Sequence, residues 1–282
     1  MISRTRRFWV GIGSATTLAG VAAGVPAALG QDSHKGHGAT PAPGSSAPGT
    51  AKALSSPQAG ESYLTDGGPK DTRIRIYRDI TLMQGHLYVG DELIKQGRWD
   101  DAVVHFLHPA EELYGAMERY ITLHQVTPFS RELKAQAEAV KAKRMGAYEQ
   151  NAKVVGERLT AALEKFKTYM TPPVTSFTVR SANEVLKVAA SEYEGALEDG
   201  KIVNPMEYQD ARGFVWAAEQ LYVGVSRPLE DIDLNRLGEI RGLINELKTA
   251  FPAAMPPQKP VMSAETFSAR VSRIEELSSV YW

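Results

Sequence analysis

From Ile74 to Ile94 the apolar residues Ile76, Ile80, Met83, Leu87 and Ile94 recur at steps of three, four or seven, which places them on one helical face. Gly97, just after Lys95 and Gln96, predicts the end of that helix: glycine takes the left-handed backbone that closes a helix, and lysine suits its negative terminus. A second helix opens near Trp99-Asp100, with Ala102, Val103, Phe106 and Leu107 on its apolar side, and Pro109 interrupts it. A proline inside a helix loses one hydrogen bond and clashes with the carbonyl four residues back, here that of His105. The expectation is therefore a joint: His108 as boundary residue, Pro109 at the first position of a third helix and Glu111 at its third. That helix is predicted to reach about His124, with Leu113, Met117 and Ile121 inward and Tyr114 beside them.

Thr127-Pro128 predicts the next start, as a capping residue followed by proline at the first helical position. Helical pattern then continues to about Met170, closed by Thr171-Pro172-Pro173. One uninterrupted helix there would be roughly 60 Å long, so a break is expected near Met145-Gly146. Further on, a helix is predicted from about Arg180 to Asp199 and ended by Gly200. The next carries a full start signal: Asn204 as cap, Pro205 first, Glu207 third, with Ile202 and Val203 before it. Tyr208, Ala211, Val215, Ala218 and Tyr222 follow at helical spacing, and two more amphipathic segments flank the proline-rich "PAAMPPQKP". No segment alternates as a strand would. The expected fold is all-α: a helical hairpin region over residues 71–170, followed by an antiparallel four-helix bundle over residues 171–282.

Residues 1–30 stand apart. Arg4, Arg6 and Arg7 precede a weakly apolar Gly/Ala-rich stretch ending in Ala28-Leu29-Gly30, the pattern of a secretory signal peptide cut before Gln31. Arg6-Arg7 after Thr5, with Trp9 nearby, is similar to a twin-arginine signal, so a periplasmic or secreted location is expected by that route or by ordinary secretion. Residues 31–70 are rich in Pro, Gly, Ser and Ala and read as a disordered linker, which contains His34 and His37. Removing the signal leaves 29 basic and 33 acidic side chains, a mildly acidic chain with no nucleic-acid footprint. With no cysteine, disulfides, thiolate metal sites, thiol catalysis and haem attachment drop out. No apolar run past residue 30 is long enough to span a membrane.

Two resemblances add to this. "GHLYVGDELIKQGRWDDAVVHF", within residues 85–107, resembles a single tetratricopeptide-like hairpin through Gly90, Gly97, Ala102 and Phe106. It departs from that pattern at His86 and Leu93, and no second copy follows. "SEYEGALEDGKIVNPMEYQDARGFV", residues 191–215, is similar to the exported helical domain found ahead of bacterial high-affinity iron permeases. Tyr193, Ala196, the turn Asp199 to Asn204, then Glu207, Tyr208 and Asp210 carry the likeness, with Leu237, Ile240, Leu243 and Leu247 continuing it. The resemblance implies a four-helix module working beside iron or other metal uptake, with a membrane metal permease or another envelope protein as partner. The permease's own acidic membrane motif is absent, so transport does not carry over.

Enzyme signatures are missing: there is no nucleophile elbow, P-loop, H-E-x-x-H or dinucleotide loop. The expectation is a protein that is not an enzyme. If helix continued through Pro109, His105, His108 and Glu112 would share a face, and a hairpin could bring His86 to them, a set suited to iron, zinc or copper. The alternative is that His86 fills a packing position, His105 bonds locally and His108 caps the third helix. A second candidate is an oxygen-rich iron site from Glu192, Tyr193, Glu207 and Tyr208, against which Glu207 has a capping role and the tyrosines suit a core. The functional expectation is an exported helical protein that binds or senses a transition metal in iron handling. Its alternative is a metal-free adaptor for another envelope protein or a peptide.

Overall fold

The computed structural model describes residues 69–168 and 174–282. The signal peptide, all but the last two residues of the linker, His34, His37 and the Thr171-Pro172-Pro173 stop lie outside the described residues. The chain is all-α, as its periodicity predicts. Its helices are α1 (Thr72–Lys95), α2 (Trp99–Leu107), α3 (Tyr114–Leu123), α4 (Ser130–Lys141), α5 (Met145–Lys167), α6 (Val174–Gly195), α7 (Pro205–Gly224), α8 (Ser226–Thr249) and α9 (Ala264–Ser278). A two-residue ladder, β1 (Leu197–Glu198) with β2 (Lys201–Ile202), joins α6 to α7. Among the described residues no helix is long and apolar enough to cross a membrane.

The expected joint at Pro109 does not form. His108–Leu113 is instead a π-helical turn, so helix runs without interruption over residues 99–123. Leu107, His108, Leu113 and Tyr114 all hold right-handed helical backbone, and the Tyr114 N–H donates to the Pro109 carbonyl five residues back. A wider turn accommodates a residue that has no N–H to offer and whose ring crowds the preceding carbonyl. His105 and His108 consequently sit on one helical run rather than on two helices.

Other boundaries move by a few residues for local reasons. α4 starts at Ser130 rather than at Pro128, with buried Phe129 as its first flanking residue. The break before α5 falls at residues 142–144, where Lys143 takes positive φ, directly before the expected Met145-Gly146. α6 ends at Gly195 instead of reaching Asp199, because Asp199 and Gly200, at φ 48° and 68°, make the tight turn of the small ladder. α8 is bent at Asp233, whose extended backbone stops one helix while its carboxylate accepts from the Arg236 N–H and starts the next.

Helices α6 to α9 form the C-terminal bundle, α6 packing on α7 and α9, and α8 on α7 and α9. The N-terminal helices are not separate from it. α1 lies against α2, α6 and α7 together, and one apolar core runs through both regions. Such a central helix is buried nearly all round, which explains why α1 places Arg78, Asp79, Thr81 and His86 inside as well as its isoleucines. Two glycines set the α1–α7 crossing. A Cβ on Gly85 would lie 2.6 Å from Phe214 Cδ1 and 3.0 Å from the Gly213 carbonyl carbon, so the backbones touch where side chains would hold them apart. Gly90 does the same for α2, where a Cβ would meet the Phe106 ring at 2.6 Å.

Candidate metal centre

Three elements converge within one helical turn of those glycine contacts. His86 follows Gly85 on α1, His105 precedes Phe106 on α2, and Asp210 stands one turn before Gly213 on α7. His105 Nδ1 is 2.8 Å and His86 Nδ1 2.7 Å from the same Asp210 Oδ1. His108, brought round by the π turn, has Nδ1 3.9 Å from the other carboxylate oxygen, and its ring centre is 5.1 Å from that of His86. All four side chains are buried. One ligand atom from each of His86, His105 and Asp210 lies within 4.8 Å of the others.

The electrostatics follow from this packing. Burial alone would raise the Asp210 carboxyl, but His86 and His105 outweigh it and hold the group well below the usual carboxylate range. His108 goes the other way: burial, reinforced by His86, pushes its imidazole down to about 4, against the pull of Asp210. Gln209 supports the site from outside, with its Oε1 2.9 Å from His105 Nε2 and its Nε2 3.5 Å from Met255 Sδ. With the proton on Nε2, His105 donates to Gln209 and turns Nδ1 toward Asp210, the orientation that second-shell acceptors impose on metal-binding imidazoles.

His86 Nδ1 supplies the test of fit. It is buried and 2.7 Å from a carboxylate oxygen, yet lies off the axis of a hydrogen bond and has no aligned partner. Asp210 Oδ1 can accept one Nδ1–H on each of its two lone pairs, but His105 is aligned for such a bond and His86 is not. A cation among them satisfies every lone pair, and two imidazoles with one carboxylate suit a borderline divalent ion.

Of the residues singled out in the sequence, the structure brings His86, His105 and His108 together. Glu112 is half-buried on the π turn, four residues past His108. Glu192 and Glu207 are buried on α6 and α7. Asn204 caps α7 as its sequence predicts, accepting from the Met206 and Glu207 N–H groups. Glu207 turns its carboxylate onto Gly195, where Oε2 has no hydrogen-bond partner, and burial together with the Asp210 charge raises its pKa. Tyr193 and Tyr208 are core residues, each donating its hydroxyl to a backbone carbonyl, that of Met262 and that of Ala253. Asp210 and Gln209 are the residues that local sequence patterns do not single out, Asp210 being marked only by the resemblance of residues 191–215. Its signal was a carboxylate three residues after Glu207 and three before Gly213, on a helix that also buries Gln209 and Arg212 beside its apolar stripe.

Residues 172–281 match the family of the iron permease-associated 4-helix bundle domain. No curated protein and no solved structure matches the chain significantly. The match links the C-terminal region, α6 to the end, to iron permease systems, in agreement with the resemblance carried by residues 191–215. It also divides the candidate centre: Asp210 lies within the matched residues, whereas the three imidazoles come from residues ahead of them.

Proposed function

We propose that this chain is an exported protein that binds a divalent transition metal, with iron as its physiological ion, at His86, His105 and Asp210, and that it serves a membrane metal permease. The observation that carries this reading is the meeting of two buried Nδ1 atoms on one buried carboxylate oxygen, with His86 Nδ1 lacking an aligned partner. The iron permease-associated match supports iron handling as the setting. The arginine-bearing N-terminus and its Gly/Ala stretch support export. A binding role rather than a catalytic one is supported by the lack of nucleophile and phosphate-binding motifs in the sequence.

The bundle and the hairpin contribute different parts of such a site. Asp210 supplies charge, the imidazoles supply borderline nitrogen donors, and Gln209 fixes the tautomer of His105. Metal bound there would tie α1 and α2 to α7. The expected result is about one Fe2+, Zn2+ or Co2+ per chain in titration calorimetry under anaerobic conditions, with His86→Ala, His105→Ala and Asp210→Asn each removing it. Full binding by the Asp210→Asn variant, or none by the unaltered chain, would sink the reading. Cell fractionation of the full chain tests export: retention in the cytoplasm at full length would contradict it.

A further inference from the structure

α6, the neighbouring helix of the bundle, carries a second buried carboxylate, that of Glu192. α6 and α7 run antiparallel around the small ladder, and their register is fixed at two points. Near one end the Tyr222 hydroxyl donates to Asn183 Oδ1 at 2.6 Å, and near the other Gly195 lies against the Glu207 carboxylate. From that second point, three residues back along α6 lead to Glu192 and three forward along α7 lead to Asp210. Both steps run in the same direction along the pair, about 4.5 Å, and both keep to the face that the helices present to each other. Glu192 is therefore level with Asp210 and is itself buried, only 5% exposed.

We infer that Glu192 is a ligand of the same ion, joining Asp210 as the bundle's second carboxylate beside the imidazole cluster. This rests on the metal-binding reading above. Charge is the first reason. A dication held by Asp210 alone would leave an uncompensated positive charge among buried groups, whereas a second buried carboxylate makes the site neutral. Donor number is the second. Adding His108, 3.9 Å from the other Asp210 oxygen, and Glu192 to the group of His86, His105 and Asp210 brings the donors to three nitrogens and two carboxylates, enough for five- or six-coordination. That donor set favours Fe2+ over the four-coordinate geometry preferred by structural Zn2+.

The test uses the full chain and Co2+, whose visible absorption reports coordination number, alongside Fe2+ titration without oxygen. Glu192→Gln is expected to weaken Co2+ and Fe2+ binding about tenfold or more and to intensify the Co2+ visible bands as coordination number drops. Glu207→Gln, one turn away on the partner helix, is expected to leave the spectrum unchanged. Glu192→Asp keeps the charge and withdraws the carboxylate by one methylene. It too should alter the spectrum, which covers the case of Glu192→Gln failing to fold by circular dichroism. Wild-type affinity and spectrum in both Glu192 variants would overturn the assignment while leaving the His86, His105 and Asp210 site standing. Equal losses in Glu192→Gln and Glu207→Gln with an unchanged spectrum would mark a field effect and overturn ligation. An unaltered chain that binds neither ion removes this inference together with the function it rests on.

Discussion

α7 has two buried faces, and they are built on different principles. Toward α6, α8 and α9 it meets an aromatic cluster: Tyr193 stacks on Phe267 at 4.6 Å, Phe251 sits edge-on to both, and Tyr208 closes the group against Phe251. Both tyrosine hydroxyls of the cluster are used, donating to carbonyls of the segment around Ala253 and Met262. Toward α1 and α2 the same helix meets His86, His105 and His108 through Asp210 and Gln209, and the backbones close to glycine–glycine contact. The aromatic cluster on the first face is complete as packed. The other face buries a nitrogen it does not satisfy, which is costly unless something further binds.

That contrast predicts a separation of stability from metal binding. Phe267→Ala empties the centre of the aromatic face and is expected to cost about 3–5 kcal/mol in urea unfolding, while the fraction that stays folded keeps its metal affinity. A parallel loss of affinity would show that the two faces are not independent. Gly213→Ala should do the opposite. Its Cβ would run into the backbone of Gly85, which cannot swing aside as a side chain can, so a cost of about 1–3 kcal/mol is expected. More telling is its effect on the site: moving α1 off α7 separates His86 from Asp210, and Co2+ binding should be abolished. Retained Co2+ binding would mean that the glycine contact does not position the centre.

A smaller effect sharpens the same division at the start of α7. Asn204 is the cap for the helix that carries both faces, and Asn204→Ala is expected to cost about 1 kcal/mol, measured as a lowered urea midpoint. Because the lost bonds lie a full turn before Asp210, metal affinity should change less than it does in Gly213→Ala.

The sequence made the apolar face legible and left the polar one half-read. Periodicity at Tyr208, Ala211, Val215, Ala218 and Tyr222 identifies the buried stripe of α7, and all five are buried. Asn204-Pro205 marks its start to the residue, because cap chemistry is local. What local rules could not give was the behaviour of Pro109. A proline predicts a break when a helix has only its own bonds to lose, but here the flanking residues Ala102, Phe106, Leu113 and Met117 are all pinned in the core. Tertiary packing outweighs the lost hydrogen bond, and a π turn absorbs it. The three histidines could be named as a group from the hairpin. Their carboxylate partner could not, since it lies more than a hundred residues away and only the α1–α7 crossing brings it in.

Glu207 lies on the border between the two faces, and its titration asks to which it belongs. Burial first, and then the Asp210 charge, raises its carboxyl above the ordinary glutamate value, with the Asn204 contact opposing them. A carboxyl whose folded-state value is raised binds its proton more tightly in the folded chain. Its contribution to stability is therefore present below the unfolded value and is lost as pH rises through the folded one. Glu207→Gln keeps a neutral side chain at every pH. Relative to the unaltered chain it should become progressively more stable as unfolding is measured from about pH 4 to pH 8. A difference that stays flat across that range would mean that Glu207 is solvated or already paired when folded. A difference that widens and then collapses when Co2+ is added would place the carboxylate on the metal side, because only a nearby dication would cancel the cost of its charge.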